Sequence, residues 1–191
     1  FIMFIQTEET PNPATLKFLP GKTIISKGTL EFKNKSEAKD FELARNLFAE
    51  SNVKNVFFGK DFITVSKSSN VEWDELKPSV LSIILDFFSS GGNIENMDLT
   101  EKPQSEKIKY SKKDKEIVEK INNLLEERIK PAVAQDGGDI SFVKLQDKVV
   151  FLELRGCCSG CPSSTITLKS GIENMLKYYI PEIESVEAIN Q

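Results

Sequence analysis

The stretch Asp136–Thr165 reads DGGDISFVKLQDKVVFLELRGCCSGCPSST, and its reading decides the fold of the second half of the chain. Two β-prone runs, DISFVKL and VVFLELRG, flank Gln146-Asp147-Lys148. Turn residues between such runs predict a hairpin. In the second run Val150, Leu152 and Leu154 alternate with Val149, Phe151 and Glu153, the period of two that a half-buried strand needs. Upstream, the two glycines of Asp136-Gly-Gly-Asp139 permit backbone angles that other residues resist. Pro162, downstream, suits the first position of a helix. All the cysteines of the chain, Cys157, Cys158 and Cys161, fall in the Gly/Ser loop where the second strand gives way to that helix.

Working outward, Ser111-Lys-Lys-Asp114 has the form of a capping box with aspartate in the glutamate position. The helix it opens runs to about Lys130, with Val118, Ile121, Leu125 and Ile129 on one face, and Pro131 ends or kinks it. The last helix reaches about Tyr179, before Pro181. The first half opens with strand-like FIQTEE and TLKFLPG, and Ser36 is the expected N-cap of a helix in SEAKDFELARNLFAE that buries Phe41, Ala44, Leu47 and Phe48. A hairpin is expected in NVFFGKDFITVSK around Gly59-Lys60-Asp61. A second helix is expected from about Trp73 to Phe88, burying Leu76, Val80, Ile84 and Phe87 or Phe88. Each half thus reads helix, hairpin, helix. Between them Gly91–Lys113 has few residues to bury and cannot offset its ordering entropy. The prediction is an α+β protein of two small domains, residues 1–90 and 114–191, each with helices packed on a sheet that contains an antiparallel hairpin. Residues 91–113 form a flexible linker.

Of the 191 residues 13 are phenylalanine, none is histidine, and the formal net charge is -4. An acidic chain without a concentrated basic face is no match for nucleic acid. The longest apolar cluster, VLSIILDFF at Val80–Phe88, is too short to span a membrane. Three cysteines in one cluster are no disulfide framework and imply a reducing compartment. Read with Met3 as the start, MFIQ points to a bacterial cytoplasm, with a mitochondrial matrix after transit-peptide removal as the alternative.

Cys158-Ser-Gly-Cys161 is a C-x-x-C, a spacing that serves zinc knuckles, iron–sulfur sites and dithiol redox centres. A loop site reads as exposed, against the reading of small buried apolar side chains. Structural zinc and a four-iron cubane each need four ligands, and the motif supplies two. Cys157, adjacent to Cys158, points the other way in an extended segment and makes a poor third ligand. Carboxylates such as Asp136 or Asp139 suit a soft thiolate site poorly. Two chains, each giving Cys158 and Cys161, complete four thiolates. A static zinc clamp and a transferable iron–sulfur cluster both fit such a site, with dithiol redox chemistry third. A thioredoxin-like centre expects a parallel β-α-β unit, and here the motif follows an antiparallel hairpin.

RIKPAVAQDGGDISFVKL followed by LRGCCSGCPSSTITLKSGIENMLKYYIPEIESVEAI resembles the C-terminal domain of the NifU-like family of iron–sulfur cluster proteins. FIQTEETPNPATLKFLPGK and NVFFGKDFITVSK resemble the N-terminal domain of the Nfu branch of that family. The resemblance implies a scaffold or carrier, not an enzyme. Such a protein holds a [4Fe-4S] cluster between two chains through Cys158 and Cys161 of each, takes it from an upstream donor and passes it to apo-proteins. It implies a homodimer when cluster-bound, with no nucleic-acid or membrane partner. Where the family more often has alanine or serine, this sequence has Cys157. The rival functions are a dithiol–disulfide oxidoreductase and a zinc-stapled interaction module.

Overall fold

The computed structural model describes residues 4–94, 108, 110–159 and 162–189, without the side chains of 162–164. Most of the expected linker therefore lies outside the described residues. The chain divides into two compact units, residues 1–100 and 101–191. No described helix is long and apolar enough to cross a membrane.

The first unit is a five-stranded antiparallel sheet with two helices. Its strands are β1 (Gln6–Glu9), β2 (Thr15–Leu19), β3 (Leu30–Phe32), β4 (Val53–Phe58) and β5 (Ile63–Lys67), in the spatial order β1-β2-β5-β4-β3. The helices are α1 (Glu42–Leu47) and α2 (Trp73–Ser89). Leu16, Phe18, Val56, Phe58, Ile63 and Val65 from the sheet share one core with Leu43, Leu47, Val80, Ile84 and Phe88. The Phe57-Phe58 and Phe87-Phe88 pairs are buried, so they are core, as their apolar settings require. Trp73 Nε1 donates to the Pro13 carbonyl at 3.1 Å, tying the start of α2 to the turn between β1 and β2.

Helix α1 is shorter than its sequence suggests and Ser36 does not cap it. Asn34 Oδ1 accepts from the Glu37 N–H at 3.0 Å, and Glu37 Oε2 accepts from the Lys33 N–H at 2.8 Å. These side chains close a local turn that competes with the helix, as short polar side chains do. Phe41, Ala44, Leu47 and Phe48 are nevertheless all buried.

The second unit begins with α3 (Lys112–Leu124), whose Ser111 cap accepts from the Asp114 N–H at 3.2 Å. Its buried residues are Ile117 and Ile121, with Val118 only partly buried, and the same face continues past its end in buried Leu125 and Ile129. Pro131 does not end the helix. A π-helical turn at Leu125–Ile129 leads directly into α4 (Lys130–Gln135). The wider turn absorbs the residue that cannot donate, which is how π-bulges accommodate a helix interruption. Strands β6 (Gly138–Gln146) and β7 (Val149–Gly156) form the expected antiparallel hairpin. Its two-residue turn holds Asp147 and Lys148 at φ of 50° and 62°, the left-handed pair that suits hairpin twist. The buried residues of β7 are Val150, Leu152, Leu154 and Gly156, in strict alternation.

Helix α5 (Pro162–Tyr179) then returns the chain to β8 (Ser185–Ile189), which pairs with β7 in parallel. The sheet order is β6-β7-β8. Thus β7, α5 and β8 make a β-α-β crossover, a departure from the helix–hairpin–helix reading. Strand β8 is held by side chains of α5. Glu173 Oε2 accepts from the Val186 N–H at 3.0 Å, and Lys169 meets Glu187 at 2.7 Å.

Candidate metal centre

The thiol loop sits where β7 ends and α5 begins, against the start of β6. Gly138 and Gly156 face each other in the β6–β7 ladder. Gly156 has φ of 66°, a left-handed conformation that turns the chain out of the strand. The Cys157 N–H donates to the Gly137 carbonyl at 3.2 Å, so the turn stays fastened to the Asp136–Asp139 segment. Ser159 donates to the Gly156 carbonyl from its backbone at 3.1 Å and from Oγ at 2.9 Å. Thr165 Oγ1, one turn into α5, donates to the Cys158 carbonyl at 3.1 Å.

Gly138 works by its missing side chain. A Cβ there would lie 2.7 Å from Cys158 Sγ, 2.8 Å from the Arg155 carbonyl oxygen and 3.4 Å from Cys157 Sγ. Both described thiols occupy that space. The sequence predicts turn-forming roles for both glycines. Gly137 does have positive φ, whereas Gly138 makes room for sulfur.

Two expectations about the thiols are corrected. Cys157 and Cys158 are not on opposite sides, because residues 157–159 form a turn after β7 and strand alternation no longer applies. Their Sγ atoms are 3.6 Å apart in a sulfur–sulfur hydrogen bond, well beyond the ~2.05 Å of a disulfide. The loop is also not exposed at these positions. Cys157 and Cys158 are 2% and 6% exposed and pack with Ile140, Leu154, Ile172 and Leu176. Cys161 lies outside the described residues. Among the described residues, Asp136 and Asp139 join no metal-ligating group with the thiols.

The topological objection to a redox centre also falls. Cys158 lies between a strand and the helix of a parallel β-α-β unit, the setting a dithiol centre expects. Only pairing with β8 reveals this, and the hairpin that precedes the loop does not. Chemically, the site offers soft thiol donors, backed by an apolar core, at a helix start. That suits thiophilic metals and iron–sulfur clusters, and dithiol chemistry as well.

Comparison with known proteins gives the family. The family described as "Scaffold protein Nfu/NifU N terminal" matches residues 5–91, and "NifU-like domain" matches residues 121–187. The Drosophila sechellia protein named "NFU1 iron-sulfur cluster scaffold homolog, mitochondrial" is 49% identical over 98% of this chain, which spans 65% of that protein's length. The Homo sapiens protein of the same name is 47% identical over 98% of this chain and 72% of its own. The solution structure of a NifU-like protein from Saccharomyces cerevisiae aligns with a TM-score of 0.46 at 26% identity, over 50% of this chain and 87% of that one. By two domain signatures in order and by 47% identity to the human protein over 98% of this chain, the chain belongs to the Nfu/NifU family of scaffold proteins.

Proposed function

We propose that this chain is a carrier that holds an iron–sulfur cluster, of [4Fe-4S] type, between two copies through Cys158 and Cys161 of each. It receives the cluster from an upstream donor and passes it to apo-proteins. The observation that carries the reading is the seat of Cys158, a thiol at the junction of β7 and α5 in a space that Gly138 leaves open. The naming of its relatives as iron–sulfur cluster scaffolds supports it. Four thiolates drawn from two chains leave each chain with a half-share, so the cluster can be surrendered by exchanging ligands one at a time. The reaction is ligand exchange, without catalytic turnover. Residues 114–191 carry the site, 91–113 tether it, and 1–90 serve recognition. The relatives' names favour the mitochondrial matrix over the bacterial cytoplasm.

A second reading, a dithiol–disulfide centre, is favoured by the parallel β7–α5–β8 unit. Anaerobic reconstitution with iron and sulfide tests both. The carrier reading expects a brown dimer with about one cubane per two chains. A colourless monomer that cycles a Cys158–Cys161 disulfide would overturn it, and tight colourless zinc would point to a stapled module.

A further inference from the structure

The first unit holds an open groove of about 530 Å³ beside β1, the outermost strand of its sheet. Thr7 and Glu9 of β1 form one wall, and Trp73, Asp74 and Lys77 at the start of α2 form the other. Thr7 and Glu9 stand in register with core residues Phe18 and Leu16, so they carry the core-facing side of the sheet one strand further out. The turn between β1 and β2 is stiff. Thr10 Oγ1 donates to the Thr15 carbonyl at 2.9 Å and accepts from the Asn12 N–H at 3.2 Å, while Asn12 Oδ1 accepts from the Ala14 N–H at 3.0 Å. Trp73 is fastened to the same turn through the Pro13 carbonyl and is only partly buried. The walls therefore need little reordering to receive a guest. In the sheet β1 pairs with β2 alone, so its outer edge presents main-chain N–H and C=O groups that no strand takes up. Among the described residues neither Glu9 nor Asp74 forms an ion pair, and Lys77 is the one cation lining the groove with them.

Resting on the recognition role given above to residues 1–90, we propose that β1 and this groove bind an extended segment of a partner protein that carries lysine or arginine and adds to the sheet as a further strand. Main-chain bonds along β1 supply affinity, and alternate side chains supply specificity. Side chains of the guest that point the same way as Thr7 and Glu9 enter the groove. There Glu9 and Asp74 meet the cation, and the Trp73 ring takes its apolar stem. A second copy of β1 is a poor guest, because Glu8 and Glu9 of both strands would gather like charges across the new pair. The same repulsion excludes acidic segments.

The bland alternative is an edge whose charges only keep other strands away. Three short capped peptides separate the two when titrated into the full chain: alternating lysine and threonine, alternating glutamate and threonine, and the lysine peptide with its backbone nitrogens methylated. Binding is read from the emission of Trp73, the sole tryptophan, and from hydrogen exchange of the Gln6–Glu9 amides. The lysine peptide should shift the emission and slow exchange at alternate amides of β1. The glutamate peptide should bind several-fold more weakly, and the methylated peptide should lose most of its affinity, because it has no N–H groups to offer the edge. In Glu9→Gln/Asp74→Asn, where both positions are exposed, the lysine peptide should weaken several-fold and its binding should depend less on salt. No response to the lysine peptide at millimolar concentration, or equal binding of the methylated one, overturns strand addition. Equal binding of the glutamate peptide, or no change in the double variant, overturns the charge selection. The cluster is read separately. A chain that ignores every peptide yet reconstitutes as a brown dimer keeps the carrier reading and loses this one, and a chain that binds the lysine peptide but takes up no iron does the reverse.

Discussion

The Glu173 carboxylate accepts the Val186 N–H at 3.0 Å and the Lys177 ammonium at 2.7 Å. One side chain of α5 thereby holds the backbone of β8 while being held by its own helix one turn on.

The Lys177 hydrogen bond first, and the Val186 N–H second, keep the Glu173 carboxyl below its ordinary value of 4.5. A carboxyl lowered by folding lends stability that is complete above its unfolded value and is lost as pH falls through its folded one. The second unit should therefore weaken below about pH 4.5. In Glu173→Gln that acid dependence flattens, and the Val186 amide exchanges faster at neutral pH. Hydrogen exchange followed by NMR between about pH 3 and pH 7 measures both. Unchanged Val186 protection would remove Glu173 from its assigned role.

Gly138→Ala places a methyl group against Cys158 Sγ and the Arg155 carbonyl, neither of which is a flexible chain end. Overpacking of this kind costs about 1–3 kcal/mol. We expect a lower melting temperature for the second unit and reduced iron uptake after reconstitution. Wild-type uptake in a folded Gly138→Ala chain would show that the thiols do not need their present seat.

Thr64 Oγ1, on the central strand β5, is buried and has no hydrogen-bond partner among the described residues. Valine has the same shape without the stranded hydroxyl. Thr64→Val should stabilise the first unit by about 1 kcal/mol. Urea unfolding followed by the fluorescence of Trp73, which lies in that unit, reads the change directly. A loss of stability would mean that the hydroxyl is satisfied in solution.

Lys17 is 7% exposed on β2, with Nζ 3.3 Å from Glu8 and 5.0 Å from the centre of the Phe62 ring. Replacing a buried charge by an apolar chain of similar size is often neutral or favourable, whereas removing its counter-charge is not. Lys17→Met should hold or raise the unfolding midpoint, and Glu8→Ala should lower it by roughly 1 kcal/mol, discounted for the solvent around Glu8. The reverse order would show that the charge itself is needed there.

The hairpin at Asp136–Gly156 was legible because its information is local. Alternation along Val149–Leu154 and turn chemistry at Asp147-Lys148 need no distant partner. The faces of the helices were legible for the same reason, down to Phe41, Val80 and Ile121. Strand β8 was not, because Ser185–Ile189 is short and its parallel partner β7 lies a whole helix earlier. Pro131 marked the interruption of the helix, but its form, a π-turn at Leu125–Ile129, is invisible to a 3.6-residue count. Of the site, the thiols and the family were readable from the motif. The direction of Cys157 was not, because a single left-handed glycine decides whether strand alternation continues.

The parallel pairing of β7 with β8 also sets an order in time. On a nascent chain the β6–β7 hairpin can close across two residues as soon as it emerges. The core that buries Cys157 and Cys158 also contains Ile172, Leu176 and Val186, which arrive only with α5 and β8. A hairpin that closes before α5 and β8 dock therefore leaves the thiols without most of their cover, open to metal and to oxidant alike until the non-local pairing is made.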